Sequence, residues 1–202
     1  MLYGGLAGQL EVRARKGGSR TISGSFPYNS TATLSDGGRN GGRPKKERFA
    51  PGAFSYSIDV SELDINLLVG HDFNRVLASR NGGSLVLRDS KEALFFEATL
   101  PAEVAETTHA KDALALLGAG LIPGISIGFR IPPPSAVKEP ETIEEEDPSQ
   151  GRALIRTVHQ ALLAEISLVT RPAYDETTIE ARCWQPTARL HTNRVSPRFR
   201  WR

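Results

Sequence analysis

Cysteine is almost missing. Cys183 is the sole one among 202 residues, so the chain can form no internal disulfide and no cysteine-based metal cluster. That fits a reducing compartment. Histidine is sparse as well. His71, His109, His159 and His191 are scattered without metal-ligand spacing, so neither a metal nor a cofactor is expected. No apolar run approaches the roughly 20 residues needed to span a bilayer, and no basic region followed by an apolar one opens the chain. A soluble cytoplasmic protein with no membrane partner is the expectation. A Walker loop, a dinucleotide fingerprint, a zincin helix and a Gly-x-Ser-x-Gly elbow are all lacking. An excess of one charge is lacking too: the net charge of +2 argues against a chain built chiefly to coat nucleic acid.

What charge there is falls unevenly. Arg39, Arg43, Lys45, Lys46 and Arg48 crowd one stretch, residues 139–147 are acidic, and every charged side chain after Glu180 is an arginine. Each block reads on its own as a solvated loop or tail. The hydrophobic fraction of 39% is low because of polar, Gly-rich and Pro-rich stretches, yet the remainder suffices for one core. The expected organisation is one domain over residues 1–181, followed by a disordered arginine-rich tail over 182–202. Residues 29–46 read as a mobile Gly-rich basic loop, and 132–150 as an exposed, acidic, Pro-rich insert.

Periodicity predicts mostly strands. Residues 10–15 alternate apolar and polar, and 65–69, 84–88, 93–100 and 124–129 are rich in the residue types that favour pleated surfaces. Residues 101–118 change to spacings of three and four and predict a helix stopped by Gly118 and Gly120. By periodicity a helix or two strands could claim residues 153–169, and their β-branched residues favour two strands broken near His159-Gln160. Asp175 is a candidate cap for a short final helix. Many short strands with one or two helices point to a closed antiparallel β-barrel with helices outside it.

Three polar residues stand out in apolar strands. Ser126 lies between Ile125 and Ile127, flanked by Gly124 and Gly128, so its side chain faces away from the isoleucines. The bare glycines leave room for close approach of a backbone. His71 ends an apolar strand directly after Gly70. Glu165 follows Leu162, Leu163 and Ala164 and precedes Ile-Ser-Leu-Val, company in which a carboxylate needs a partner. That partner is either a basic side chain such as Arg171 or a histidine. Each of the three has an ordinary structural reading. Together they supply the nucleophile, the base and the orienting carboxylate of a serine-based acyl transfer.

Glu47-Arg-Phe-Ala-Pro-Gly-Ala-Phe54, Gly70-His-Asp72, Gly124-Ile-Ser-Ile-Gly-Phe129 and Glu165-Ile-Ser-Leu-Val-Thr-Arg-Pro-Ala-Tyr174 occur in that order. Together they resemble the prohead (capsid maturation) serine proteases of HK97-like phages, themselves distantly similar to herpesvirus assemblin. The resemblance implies a closed antiparallel barrel of the assemblin type, with Ser126 as nucleophile and His71 as base. Assemblins use a second histidine as third member, where the matching region here offers Glu165. Asp72 is a competitor, but adjacent strand residues point to opposite faces. By analogy, a backbone amide near Arg171 would serve the oxyanion hole. The implied substrate is the scaffolding region of the major capsid protein, cut inside the assembling procapsid in the host cytoplasm, with self-cleavage and contact with the portal as further expectations. A non-catalytic capsid assembly or scaffold protein on the same fold is the alternative. A nucleic-acid-binding barrel using the basic segments is a third reading, and the acidic insert opposes it.

Overall fold

Strands make up most of the regular structure. The computed structural model describes residues 2–6, 10–38, 41–59 and 62–172, the first of these segments by its backbone alone. The expected tail, the capping role of Asp175 and His191 lie outside the described residues.

The strands form three sheets. The first runs β1 (Leu2–Leu6), β10 (Gly124–Arg130), β13 (Leu162–Val169), β6 (Asn66–Val69), β7 (Asp72–Ser79). Its middle strands β10 and β13 are buried on both faces over most of their length, which is why they read as almost continuous apolar runs. The second runs β11 (Glu141–Glu145), β12 (Leu154–Val158), β5 (Lys45–Phe49), β4 (Ala32–Ser35). The third runs β2 (Glu11–Ala14), β3 (Arg20–Pro27), β9 (Ala93–Leu100), β8 (Leu85–Asp89). In β9 the burial alternates along the strand, as a sheet with one solvated face requires.

An aromatic cluster joins the sheets. Phe49 from β5 meets Phe26 from β3 edge-on at 5.3 Å and Phe129 from β10 edge-on at 5.0 Å. Phe54 stacks on Phe49 at 5.3 Å. All four rings are at most 1% exposed. Pairs of this kind add about 0.5–1.5 kcal/mol each beyond area burial. The turn at Pro51-Gly52, where Gly52 has φ +75°, folds Phe54 back onto Phe49.

The closed antiparallel barrel expected from the sequence is corrected. Among the described residues each sheet is open, and the pairs β13–β6 and β12–β5 are parallel. Closure needs one continuous ladder with a fixed stagger between strands. Here the ladders are short and their registers shift, between Gly128 and Phe129 in β10 and twice in β6. Three small sheets packed over shared aromatics bury the core instead.

Two stretches read as loops contribute strands. β4 lies within 29–46 and β11 within 132–150, at opposite edges of the second sheet. Their charges meet: Arg43 reaches Glu145 at 2.8 Å, Lys46 binds Glu146, and Arg48 approaches Glu144 at 3.9 Å. The exposed pairs, Arg43–Glu145 and Arg48–Glu144, contribute about 0–1 kcal/mol each and align the strands, whereas Lys46 neutralises a carboxylate that is itself buried. The predicted single helix over 101–118 is two, α2 (Ala102–Ala105) and α3 (Thr108–Gly118). α1 (Ser55–Asp59) follows the aromatic turn. Thr107 breaks the longer helix by donating its hydroxyl to the Val104 carbonyl at 2.7 Å.

Candidate active site

The site is built on the middle of the first sheet. In the antiparallel pair β10–β13, Ser126 stands opposite Ser167 and Gly128 opposite Glu165. Directly opposed residues share a face, and residues two apart on one strand do as well. Ser126, Gly128, Glu165 and Ser167 therefore lie on one side of the sheet, with Ile125 and Ile127 on the other. Ser126, Glu165 and Ser167 are fully buried.

Gly128 has a specific task there. A Cβ at that position would stand 2.3 Å from Glu165 Oε1 and 2.9 Å from its Cγ and Cδ. The glycine leaves the space across which the Glu165 side chain lies. The close approach anticipated for the bare strand is thus made at Gly128 by a side chain rather than a backbone.

His71 comes from a tight turn. β6 ends at Val69, β7 begins at Asp72, and those two residues pair. The two between them, Gly70 and His71, have φ +65° and +63°, the signature of a two-residue hairpin with both central residues left-handed. Histidine is among the few non-glycine residues enriched in that region. The turn is fastened to β13: the Gly70 N–H donates to the Leu168 carbonyl at 3.0 Å, and the His71 N–H donates to Ser167 Oγ at 3.0 Å. Thus held, the ring places Nδ1 2.6 Å from Glu165 Oε1. The other carboxylate oxygen, Oε2, accepts the Ser167 hydroxyl at 2.5 Å. A fully buried carboxylate is stable only when its lone pairs are satisfied, and here both oxygens are engaged. Of the two partner types the sequence offered Glu165, the structure supplies the histidine.

The other candidates are placed as follows. Asp72 is occupied within its own turn, accepting the Asn74 N–H at 2.9 Å and its amide at 3.0 Å, with Arg75 at 3.3 Å. The backbone and side-chain donors of Asn74 hold its carboxyl below the ordinary range. Arg171 stands exposed in the bend just after β13, beyond the Gly124–Val169 end of the ladder and next to the buried Pro172. His109 Nε2 pairs with the Val76 carbonyl at 3.1 Å, and His159 Nε2 with Thr142 Oγ1 at 3.0 Å.

Ser167 is the residue that sequence reasoning missed. Its signal was present in Glu165-Ile-Ser167, since a spacing of two puts the serine on the carboxylate's face. A buried serine is common, however, and only the fold shows it bridging Glu165 and the backbone of His71.

An imidazole carried on a carboxylate that shares its sheet face with a strand serine has the residue types of serine-based acyl transfer. Neither a curated protein sequence nor a solved structure matches the chain. A sequence profile of the caudovirus prohead serine protease family does match, over residues 9–190. That span takes in all three sheets apart from β1, together with the turn that carries His71 and the strands that carry Ser126 and Glu165. The chain therefore belongs to the caudovirus prohead serine proteases, peptidases of phage capsid maturation.

Proposed function

We propose that the chain is a serine endopeptidase which removes the scaffolding region of the major capsid protein inside the assembling procapsid, in the host cytoplasm, and also cleaves itself. Ser126 is the nucleophile, His71 its base and Glu165 the group that orients the base. The observation that carries this reading is the 2.6 Å contact between His71 Nδ1 and Glu165 on the sheet face that bears Ser126.

An ionised carboxylate at Nδ1 selects the tautomer with its hydrogen on that nitrogen, leaving Nε2 to accept a proton. Glu165 is the diagonal neighbour of Ser126 across β10 and β13, a spacing of about 7–8 Å. Nε2 takes the proton of Ser126 as Oγ attacks the peptide carbonyl carbon. The imidazolium is stabilised by Glu165 and returns the proton to the leaving amine. Water then hydrolyses the acyl-enzyme with His71 again as base. A backbone N–H near Arg171 serves the oxyanion. Self-cleavage falls in the loop before Phe49 or in the tail after Arg182.

The test is co-expression of the chain with its capsid protein. The wild type should shorten the capsid protein, and Ser126→Ala should leave it and the protease itself intact. Glu165→Gln should keep the fold yet lower kcat by about 10²–10⁴-fold with little change in KM. Cleavage that persists in Ser126→Ala would remove the serine from the mechanism.

A further inference from the structure

Ser126 has no solvent-exposed surface, yet a nucleophile has to meet a peptide arriving from solution. On one side its strand β10 is closed by β13, itself a middle strand of the sheet. On the other side lies β1, the outermost strand. Leu2, Tyr3, Gly4, Gly5 and Leu6 pair in unbroken antiparallel register with Phe129, Gly128, Ile127, Ser126 and Ile125. Gly5 thus lies directly opposite the nucleophile.

Without β1, β10 would be the edge of the sheet. An edge strand presents a row of backbone donors and acceptors that extended peptides add to. A protease substrate is such a peptide, so β1 and an incoming substrate require the same edge. β1 is also suited to leave: it is five residues long, it has a ladder on one side only among the described residues, and two of its residues are glycines, which weaken a strand.

We propose that residues 2–6 are an intramolecular occupant of the substrate edge of β10, and that a peptide chain reaches Ser126 by taking the place of this strand. The proposal rests on Ser126 being the nucleophile. The closed form holds the catalytic side chains assembled, and activity tracks the fraction of molecules in which β1 is displaced. The ligand class at this edge is an extended main chain, bound by its backbone in antiparallel register.

The full-length protein tests this with a fluorophosphonate probe, which reports the reactivity of Ser126 by forming a phosphorus–oxygen bond as fluoride leaves. In Gly4→Pro/Gly5→Pro, whichever of the two N–H groups points at β10 is removed. Labelling of Ser126 should then be at least about tenfold faster than in the wild type, because the competent fraction rises. Free peptide Leu-Tyr-Gly-Gly-Leu should slow it again. A lock gives the converse. Leu6→Cys/Ile125→Cys in a Cys183→Ser background joins residues that are direct partners, a separation a disulfide spans. The oxidised form should label at least about tenfold more slowly than the same molecules after reduction, a comparison independent of any change in folding. Equal rates in the oxidised and reduced forms, with Ser126→Ala silent, would overturn the occupancy of the edge and leave the nucleophile standing. No labelling of any form, together with uncut capsid protein, would overturn both.

Discussion

Gly128→Ala adds one methyl group, alters no charge and strikes the support of His71 rather than His71 itself. The main chain at Gly128 is outside the left-handed region, so alanine suits its own backbone. The neighbour is what must move. The new Cβ would be 2.3 Å from Glu165 Oε1, whereas ordinary contact begins at 3.4 Å. The carboxylate has to retreat by about 1 Å to relieve an overlap of that size. It is fully buried and bonded through both oxygens, so the retreat lengthens its 2.6 Å bond to His71. Misplacement by about 1 Å around a reacting centre lowers rates by about 10²-fold, and overpacking a buried site destabilises by about 1–3 kcal/mol. The expected outcome is a fall of about 100-fold in kcat/KM for capsid-protein cleavage, carried by kcat, in a protein that still unfolds cooperatively. Gly118→Ala is the control, since a Cβ there meets nothing within 4 Å; both rate and stability should hold. A Gly128→Ala enzyme within about twofold of wild type would refute the idea that the cradle over this glycine sets the geometry of the His–Glu pair.

Ser167→Ala removes the hydroxyl that binds Glu165 and receives the His71 N–H. Two buried bonds of about 1 kcal/mol each are at stake, so the denaturant midpoint should fall along with kcat. An unchanged kcat would limit Ser167 to a structural role. Arg156→Met strips the guanidinium from Glu47, a carboxylate only 1% exposed. Breaking a fully buried pair on one side destabilises by about 3–5 kcal/mol; with Arg156 itself 23% exposed, a loss of about 1–3 kcal/mol is expected in urea unfolding, and no measurable loss would contradict that account. Asp89→Asn addresses pH. Burial pushes the Asp89 carboxyl above its ordinary 3.8, against the hydrogen bond from the Tyr28 hydroxyl, which lowers it. Its Oδ2 is buried with no hydrogen-bond partner among the described residues. The folded state therefore holds the proton more tightly than the unfolded one. The group's stabilising contribution is full below pH 3.8 and is lost as pH rises through the folded-state value. The variant should match wild type in acid and become the more stable protein as pH climbs toward neutrality. A stability difference that stays flat across that window would rule out the assignment.

Much of the local structure was legible. The strand over 93–100 and the break between two strands near His159-Gln160 were readable, with β12 ending at Val158 and β13 starting at Leu162. The side of the sheet that Ser126 faces was readable too, because side chains alternate along any strand whatever its partners. The apolar company of Glu165 announced that it needed a partner. The four ordered motifs pointed to the family that the profile match establishes.

Pairing was not legible, because alternation encodes which face a residue takes and not which strand lies beside it. That is why a closed barrel was expected and three open sheets occur. It is also why basic and acidic stretches read separately as loops lie in one sheet with their charges matched. The bridge made by Ser167, the cradle at Gly128 and the strand across Ser126 all depend on contacts between residues far apart in the chain. By itself the amino-acid order determined the apolar strands such as β9, β10 and β13 and the face that each of their residues takes, but not β4, β11 or the part played by Ser167. Tertiary structure alone decided that the histidine, not an arginine, is the partner of the buried carboxylate, because only long-range register brings the turn after β6 over β13.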